Sequence, residues 1–527
     1  MIPTTSSVTP GCQFFSATPA QIFTPEAFSA EEKLMIDAAE QFSRKEVLPV
    51  VERLDAQEDG LMPALIRKAG ELGFCGVDGP EAFGGLGLGK NLAARILEYL
   101  SLNASFSVTI GVTSGIGQVG LSWFGSDAQK AKYLPHVLSG DWMAAYCLSE
   151  PNSGTDALSA QTRAERRGDE WVLNGTKMWI SNAKWAELFI VMAKIDGEQF
   201  SAFLVERSHP GVKIEREEHK LGLKGSSTAR VLLEDARIPA ENLLHEPGKG
   251  HQVAFNALNL GRFKLSSMSI GPARHAMEQA AAYAQDRRQF GQPIAQFGLI
   301  RQKFAEMAAR FYVAESMIYR TGAMIDEAFV ASDGSVKGNL AAAEEHAVEC
   351  SMCKVSATEA QASIVDEALQ VYGGYGFTEE FPLARHYRDS RVSRIYEGTN
   401  EINRVFIADR LYRRAESGRA SLSGSGDSFI AELAVRAVAS DPSGQIELAA
   451  VSDLLILQYA EQSSRLRARQ SGGLFVEADK LARNLLSVQA AAAFQRATGE
   501  AVSLPSAEKV DYDALAEAVY ASGGPLK

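Results

Sequence analysis

The segment WVLNGTKMWISNA, residues 171–183, decides the fold class of this chain. Its β-branched and aromatic residues come in short runs that Asn and Gly interrupt. The same texture recurs in FIVMAKI, FSAFLVERS and ARVLLEDARI, all between residues 150 and 250. Short runs of this kind, separated by turn-forming residues, are typical of antiparallel β-strands. The segment therefore predicts a small β domain within a chain whose other patterns are helical.

Helical patterns flank this β domain on both sides. Apolar residues recur every three or four positions in AEEKLMIDAAEQFSRKEVLPVVERL and NLAARILEYLSL, and long amphipathic patterns return after the β domain. The stretch ESGRASLSGSGDS has the composition of a flexible linker. We therefore expect an α+β multidomain protein. Its predicted parts are an irregular arm (1–27), an N-terminal α-helical domain (28–148), a middle antiparallel β-barrel-like domain (149–255), a C-terminal α-helical bundle (256–415), a linker (416–428) and an extra helical C-terminal domain, the appendix (429–527).

Composition and charge narrow the classes of function. The chain has 527 residues, of which 46% are hydrophobic and 22% charged, as in an ordinary soluble globular protein. A formal net charge of −12 argues against a nucleic-acid-binding protein, which would carry a basic face. The N-terminus, MIPTTSSVTPGCQFF, lacks the basic and apolar regions of a secretory signal, and five cysteines do not suit a disulfide scaffold. We therefore expect a cytoplasmic protein.

Two segments resemble chemical motifs without completing them. FGGLGLGKN, residues 83–91, has the glycines and lysine of a phosphate-binding P-loop, but Asn91 stands where that motif needs Ser or Thr. We interpret it as a tight loop that enters a helix. Cys350 and Cys353 form one CxxC pair without the second pair that a structural zinc site needs. We interpret both as buried helix cysteines and predict no metal site.

Two further segments carry groups that suit a planar ligand. The loop YCLSEPNSGTDALS, residues 146–159, places backbone N–H groups beside the hydroxyls of Ser149 and Thr155. Such a surface can bind a heteroaromatic ring or a phosphate, although an ordinary surface loop has the same composition. In KMWISNA, Trp179 can stack on a ring with Ser181 as a nearby donor, or it can pack in the core. These residues alone leave both alternatives open.

Five motifs together resemble the acyl-CoA dehydrogenase flavoprotein family. They are YCLSEPNSGTD, KMWISN, DRRQFG, LQVYGGYGF and IYEGTNEI, and they occur in the family's order over about residues 28–415. The likeness is greatest to the very-long-chain branch, because NLGRF, FGQPIAQFGLIRQK and the appendix also resemble that branch. The resemblance implies FAD as cofactor, an acyl-CoA substrate and a homodimer.

The resemblance also implies which residues contact FAD. Trp179 would cover one face of the flavin, and Arg287 would reach a pyrophosphate with its planar cationic fork. Arg287, with the paired glycines Gly373 and Gly374, would contact the FAD of the neighbouring subunit, where glycine lets the backbone approach a phosphate. The complete set is Tyr146, Leu148, Ser149, Gly154, Thr155, Trp179, Ser181, Arg287, Phe290, Gln370, Gly373, Gly374, Thr399 and Glu401.

Glu397, in the IYEGTNEI motif, matches the family's catalytic base. The resemblance implies that it removes the α-proton of an acyl-CoA thioester while the β-hydride passes to flavin N5, which yields a trans-2-enoyl-CoA. We expect desolvation beside Tyr396 and Gly398 to raise the pKa of this carboxylate toward the working pH. The backbone N–H of Glu397 would bind the thioester carbonyl and acidify the α-carbon.

The same resemblance places the acyl-CoA substrate. Its predicted contacts are Thr155, Asn259, Arg262, Tyr396 and Gly398. Some family members carry the catalytic glutamate just before the arginine that matches Arg262, but Gly261 stands there in this chain. A glycine at that position leaves room for a long or bulky acyl chain, so we expect a medium- to very-long-chain substrate of fatty-acid β-oxidation.

Three functions are compatible with these motifs. The first is an acyl-CoA dehydrogenase that passes its electrons to an electron-transfer flavoprotein. The second is an acyl-CoA oxidase, in which O₂ reoxidises the flavin. The third is a non-catalytic assembly protein on the same fold, against which an intact Glu397 argues. We favour the dehydrogenase.

The appendix carries no chemical motif. Its segment SSRLRARQSGGLF, residues 463–475, contains three arginines. These arginines can contact an anionic membrane surface or form a solvated helix face, and we favour the solvated face. Peripheral contact with a membrane therefore stays open as an alternative to a purely cytoplasmic location.

Overall fold

The structure is a computed structural model that describes residues 8–440 and 442–527. The chain forms two compact units. One, here called the sheet unit, contains Glu31–Lys264 and Ser332–Glu344. The other, the helical unit, contains the N-terminal arm up to Ala30, Leu265–Ala331 and Glu345–Lys527.

The helices account for most of the described chain. In chain order they are α1 (Gln13–Ser16), α2 (Ala30–Phe42), α3 (Val51–Asp55), α4 (Leu61–Glu71), α5 (Lys90–Leu100), α6 (Ala104–Thr113), α7 (Ile116–Phe124), α8 (Asp127–Leu138), α9 (Gly250–Asp286), α10 (Gly298–Val330), α11 (Val336–Glu345), α12 (Ala347–Tyr372), α13 (Gly374–Phe377), α14 (Pro382–Ser390), α15 (Asn400–Glu416), α16 (Phe429–Ala439), α17 (Gln445–Ser471), α18 (Leu474–Thr498) and α19 (Tyr512–Ser522). No helix in the described part of the chain combines the length and the apolar composition that a membrane span requires.

The strands form one large sheet and one short hairpin. They are β1 (Ala144–Cys147), β2 (Arg163–Arg167), β3 (Glu170–Ser181), β4 (Leu188–Ile195), β5 (Gln199–Glu206), β6 (Val212–Glu217), β7 (Thr228–Pro239), β8 (Leu243–Leu244), and the hairpin strands β9 (Arg288–Gln289) and β10 (Gln292–Pro293). The large sheet has eight strands in the order β6-β7-β3-β2-β4-β5-β8, with β1 beside β4. Its pairings are antiparallel except β1 with β4 and β2 with β4, which are parallel. The sheet is therefore mixed, and the α+β class predicted from the sequence is confirmed.

Two helices of the sheet unit, α8 and α5, begin at recognisable sequence features. Ser126 and Gln129 form a reciprocal capping box at the start of α8, which satisfies two otherwise unpaired backbone donors. The P-loop-like segment ends where α5 begins, at Lys90, whose ammonium lies 3.1 Å from a carboxylate oxygen of Asp78. That carboxylate also binds the ammonium of Lys264 at 2.9 Å. The segment is thus a loop that enters a helix, with its lysine held in a partly buried ion pair.

A buried ion pair joins β3 to the loop that follows β1. The Lys177 side chain is fully buried, and its Nζ lies 2.6 Å from Oε1 of Glu150, which is also buried. Glu150 further accepts hydrogen bonds from the backbone N–H of Gln161 at 2.6 Å and the hydroxyl of Thr162 at 2.5 Å. Burial opposes ionisation of Glu150, but the ammonium outweighs it and holds the pKa of Glu150 below its usual value. The pair therefore fixes the loop against the strand.

The helical unit encloses part of the N-terminal arm. Phe14 and Phe15 are buried, and the backbone oxygen of Phe14 accepts a 2.8 Å hydrogen bond from Nε2 of Gln462 in α17. The ring of Phe14 also contacts that of Tyr459, with centroids 5.2 Å apart. The arm and the appendix therefore share a core within this unit.

The arginine-rich segment 463–475 does not form the surface that the sequence suggests. Arg467 is buried, with its guanidinium 2.5 Å from Oε1 of Glu26 in the arm and 2.8 Å from Oε2 of Glu315 in α10. Arg469 is the exposed arginine of the three. Both interpretations, a solvated face and an anionic-surface contact, are thus wrong for Arg467, because the facing carboxylates lie far away in sequence and were not recognised as its partners.

The cysteines of the CxxC pair lie in α12 and are buried, as predicted. Burial raises the pKa of the Cys353 thiol to about 12, so the reactive thiolate is strongly disfavoured.

We predict that Lys177→Met lowers the free energy of unfolding by about 3–5 kcal/mol, because it leaves the Glu150 charge buried without its cation. The double variant Lys177→Met/Glu150→Gln removes both charges and should recover most of that loss. Chemical unfolding of the three proteins measures both effects. Equal stability of Lys177→Met and the native chain would contradict the importance of the pair.

We also predict that Phe15→Ala destabilises the helical unit by about 3–5 kcal/mol, because it leaves a cavity at a fully buried position. Val330→Ala, at a side chain that is 82% exposed, is the control and should have little effect. The midpoint of unfolding measures both. If Phe15→Ala were as stable as the control, the arm would not contribute to the core.

Candidate active site

In the sheet unit, the loop after β1 and the strand β3 bring two of the sequence motifs together. Tyr146 lies in β1 opposite Ile190, and Leu148 and Ser149 follow it half-buried. The backbone oxygen of Ser149 accepts a 2.9 Å hydrogen bond from the N–H of Met178, so the loop lies against β3. This contact and the Glu150–Lys177 pair described above join YCLSEPNSGTD to KMWISN.

The tip of this loop is open. Gly154 and Thr155 are exposed, and a Cβ built on Gly154 would meet no atom within 4 Å. Glu150 and Ser153 exchange backbone hydrogen bonds of 2.8 and 3.2 Å, which close a tight turn behind the tip. The turn thereby leaves the tip at Gly154 and Thr155 exposed, where its N–H and hydroxyl groups can be reached.

Trp179 projects from an irregularity in β3. The pairing register with β7 shifts between Lys177 and Ile180, and Trp179 has a φ of 55° there. A left-handed backbone is unusual for a large residue and marks a functional or strained position. The indole is 58% exposed, so this aromatic ring does not pack in the core of the sheet. Ser181 closes the strand opposite Thr228.

The end of β3 is held by a residue that the sequence analysis did not single out. Asn182 is buried and has a φ of 65°. Its Nδ2 donates to the backbone oxygens of Thr109 and Ala144, each at 3.0 Å, and to the hydroxyl of Thr113 at 3.2 Å. In the sequence, only its position directly after KMWIS indicated that Asn182 belongs to the site.

The predicted substrate residues of α9 contact each other. Nη1 of Arg262 donates to Oδ1 of Asn259 at 3.2 Å, and Asn259 is buried. The two are three positions apart and so lie on one face of the helix.

In the helical unit, Glu397 occupies a strained loop between a short 3-10 helix, Arg391–Arg394, and α15. Its φ is 56°, and that of Gly398 is 79°, so two consecutive residues are left-handed. The conformation costs roughly 1–2 kcal/mol for a residue other than glycine. Desolvation and the neighbouring Glu397 carboxylate raise the pKa of Tyr396, which keeps its hydroxyl neutral. The left-handed turn at Glu397 and Gly398, which few sequences adopt, thus sets the direction of the Glu397 carboxylate.

Side-chain donors hold this loop from behind. Nζ of Lys354, in α12, donates to the backbone oxygen of Gly398 at 2.9 Å, and Nδ2 of Asn403 donates to the same oxygen at 2.8 Å. Lys354 also binds Oδ1 of Asn400 at 2.6 Å, and all three side chains are buried. Sequence reasoning missed Lys354, because a lysine in a helical pattern is normally interpreted as solvated.

The first turn of α15 contains the next two predicted residues. Thr399 is the N-cap, and its hydroxyl accepts from the N–H of Ile402 at 3.2 Å. Glu401 lies in the first turn, where the backbone N–H groups hold the pKa of its carboxyl below the usual value. Both residues therefore stabilise the start of the helix that follows the Glu397 loop.

The remaining predicted cofactor residues form an exposed patch on the helical unit. The guanidinium of Arg287 lies 5.6 Å from the ring centroid of Tyr375, so DRRQFG and GGYGF meet. Phe290, in the hairpin, is 95% exposed and has a φ of 51°. Gln370 is exposed in the last turn of α12, and Cβ atoms at Gly373 and Gly374 would meet nothing within 4 Å. The open backbone next to a guanidinium suits a phosphate group.

Comparison with known proteins shows the family of this chain. Three domain families match the chain: the acyl-CoA dehydrogenase N-terminal domain over residues 29–141, the middle domain over 145–236 and the C-terminal domain over 248–412. A probable acyl-CoA dehydrogenase of Bacillus subtilis (strain 168) is 44% identical over 433 residues, which are 81% of this chain and 73% of the relative.

Relatives of different chain-length specificity also match. The mitochondrial short-chain specific acyl-CoA dehydrogenase of Homo sapiens is 37% identical over 391 residues, 73% of this chain and 91% of that protein. The very long-chain specific enzyme of Macaca fascicularis is 40% identical over 350 residues, 64% of this chain and 51% of that protein. Among solved structures, an acyl-CoA dehydrogenase complexed with FAD from Bacillus anthracis has a TM-score of 0.86 and 41% identity, covering 93% of this chain and 91% of its own. The chain belongs to the acyl-CoA dehydrogenase family of oxidoreductases.

Proposed function

We propose that this FAD-dependent acyl-CoA dehydrogenase converts an acyl-CoA thioester to its trans-2-enoyl-CoA, with Glu397 as the base that removes the α-proton. The observation that carries the proposal is the strained loop, in which Glu397 and Gly398 are both left-handed and the oxygen of Gly398 accepts from two buried side chains. A surface acid at a helix start would need none of these contacts. Strain that the surrounding structure maintains is typical of functional sites.

The described residues fit a flavin nucleotide. The sheet unit offers the exposed indole of Trp179 for a planar ring and the open turn at Gly154 and Thr155 for hydrogen bonds. The helical unit offers the Arg287 guanidinium beside the open backbone at Gly373, which suits a pyrophosphate. FAD supplies, when bound, the acceptor for the hydride that leaves the β-carbon. The FAD-bound Bacillus anthracis relative supports this assignment.

The protein's own groups act on the α-carbon. An α-C–H beside a thioester is a weak acid, so a carboxylate must be held close to it and the developing negative charge must be stabilised. We propose that the Glu397 carboxylate takes the proton, while the Glu397 N–H donates to the thioester oxygen. Asn259 and Arg262 would orient the acyl-CoA, with Thr155 and Gly398 beside it.

We further propose a medium- to very-long-chain substrate and an electron-transfer flavoprotein as acceptor. The support for a long chain is Gly261 next to Arg262, which adds no side chain to α9; the very long-chain enzyme of Macaca fascicularis and the short-chain enzyme of Homo sapiens match at similar identity, 40% and 37%. This chain spans about half of the Macaca fascicularis enzyme, 51% of its length. We also propose a homodimer, because the exposed Phe290 and the patch around Arg287 present apolar and cationic groups to a second subunit.

We predict that Glu397→Gln lowers the rate of flavin reduction by acyl-CoA about 10²–10⁴-fold, the contribution of a general base. The purified yellow protein is mixed with substrate without oxygen, and bleaching of the flavin absorbance is followed. FAD content should stay native, because the carboxamide is nearly isosteric. Glu380→Gln, an exposed acid, is the control and should bleach normally. Native bleaching in Glu397→Gln would exclude this residue as the base.

We also predict a chain-length optimum above C8 when the same assay uses acyl-CoAs from C4 to C20, since Gly261 leaves room for a long chain. An optimum at C4 would contradict the very-long-chain relationship. Admitting air to the reduced enzyme distinguishes the acceptor: rapid peroxide formation would indicate an oxidase, and slow reoxidation fits a separate flavoprotein acceptor.

A further inference from the structure

Two consecutive residues of the appendix contact α15, the helix that follows the Glu397 loop. The hydroxyl of Ser452, in α17, accepts from the N–H of Ala408 at 3.1 Å and donates to the backbone oxygen of Arg404. These are the two groups that a regular i to i−4 hydrogen bond joins, so Ser452 inserts into the ladder of α15. Oδ1 of Asp453 accepts from Nε of Arg404 at 2.7 Å. The appendix therefore fixes both the backbone and a side chain of this helix.

From Arg404 the contacts continue to the Glu397 loop. Nη1 and Nη2 of Arg404 bind the two oxygens of Glu359, in α12, at 2.8 and 3.0 Å, a bidentate pair. Oε1 of Glu359 also accepts from Nδ2 of Asn400 at 3.0 Å. Oδ1 of Asn400 accepts from Nζ of Lys354, and Lys354 donates to the backbone oxygen of Gly398. An unbroken series of polar contacts thus joins the appendix to the residue next to Glu397.

The series is solvated at one end and buried at the other. Glu359 and Asp453 have side chains that are 42% and 21% exposed, and with Arg404 they line a cavity of about 410 Å³ between α10, α12, α15, α17 and α18. Lys354 and Asn400 are buried. Arg404 is only 19% exposed, and its bidentate guanidinium fixes the geometry of these outer contacts as well as adding energy. We expect a change in these outer contacts to act mainly at the buried end of the series, where Lys354 binds the backbone oxygen of Gly398.

We propose that the C-terminal appendix positions the catalytic base, with Ser452 and Asp453 acting as positioning residues for Glu397 through Arg404. The proposal rests on the proposed function of Glu397. The loop is left-handed at two residues, and such a conformation relaxes when its supports are removed. A displacement of about 1 Å in a reacting group can lower a rate about 10²-fold. The appendix therefore assists proton removal by positioning Glu397, although none of its own groups takes part in the reaction.

The test is the double variant Ser452→Ala/Asp453→Asn, purified with FAD. We expect flavin reduction by acyl-CoA to slow about 10-fold, with the FAD content and the KM for substrate within about twofold of native. The deuterium isotope effect for substrate labelled at the α-carbon should rise, because proton removal becomes more strongly rate-limiting. Asp479→Asn is the matched control. Asp479 is a buried carboxylate of the appendix whose contacts, to Ser464 at 2.7 Å and Arg483 at 2.9 Å, lie outside the series. It should leave the rate and the isotope effect unchanged.

A native reduction rate and isotope effect in the double variant, whatever the change in its unfolding temperature, would overturn the proposal and leave the appendix a stabilising role only. The Glu397→Gln variant in the same assay separates the two hypotheses. If it loses flavin reduction while the double variant is native, only the positioning role fails. If Glu397→Gln reduces flavin at the native rate, the base assignment fails and this inference fails with it. Should the double variant not retain FAD, Asp453→Asn alone is tested, with about a threefold slowing expected because the carboxylate charge that faces Arg404 is removed.

Discussion

The hydrogen bond from the buried ammonium of Lys354 to the backbone oxygen of Gly398 constrains the structure around Glu397. A left-handed glutamate costs roughly 1–2 kcal/mol, and a buried ammonium loses its hydration. The hydrogen bonds of the ammonium offset both costs. Lys354 donates to the Gly398 oxygen at 2.9 Å, which holds the turn, and to the Asn400 amide oxygen at 2.6 Å. The turn that displays Glu397 is thereby kept although few residues would adopt it unaided.

The sheet unit contains the same combination of strain and buried charge. Trp179 is left-handed at a register shift in β3, and Lys177, two residues before it, is buried against Glu150. The ion pair supports both the strand and the loop whose tip carries Gly154. In each unit, then, a lysine without solvent contact stabilises the backbone that presents an aromatic or acidic side chain. Rigid support of this kind lets a site keep its geometry while a ligand binds and leaves.

The appendix lies outside the three matched family domains, the last of which ends at residue 412. Within the helical unit it is nevertheless not a separate layer. Arg467 binds Glu26 of the arm and Glu315 of α10, and Ser452 enters the hydrogen-bond ladder of α15. An added helical domain can influence an existing loop in this way because packed helices transmit small displacements with little loss.

The sequence by itself determined the order of helices and strands, the α+β class and the family, because apolar periodicity and short motifs are local properties of the chain. It also singled out Glu397 and Trp179, since their motifs surround them in sequence. Their left-handed backbones, the buried partners Lys354 and Lys177, and the burial of Arg467 were decided only by the tertiary structure. A charged residue looks solvated in sequence until its partner is known, and Glu150 is 27 positions from Lys177 while Glu26 is 441 positions from Arg467. Which charges are buried therefore depends on long-range pairing, because only a partner brought in by the fold can compensate the lost hydration.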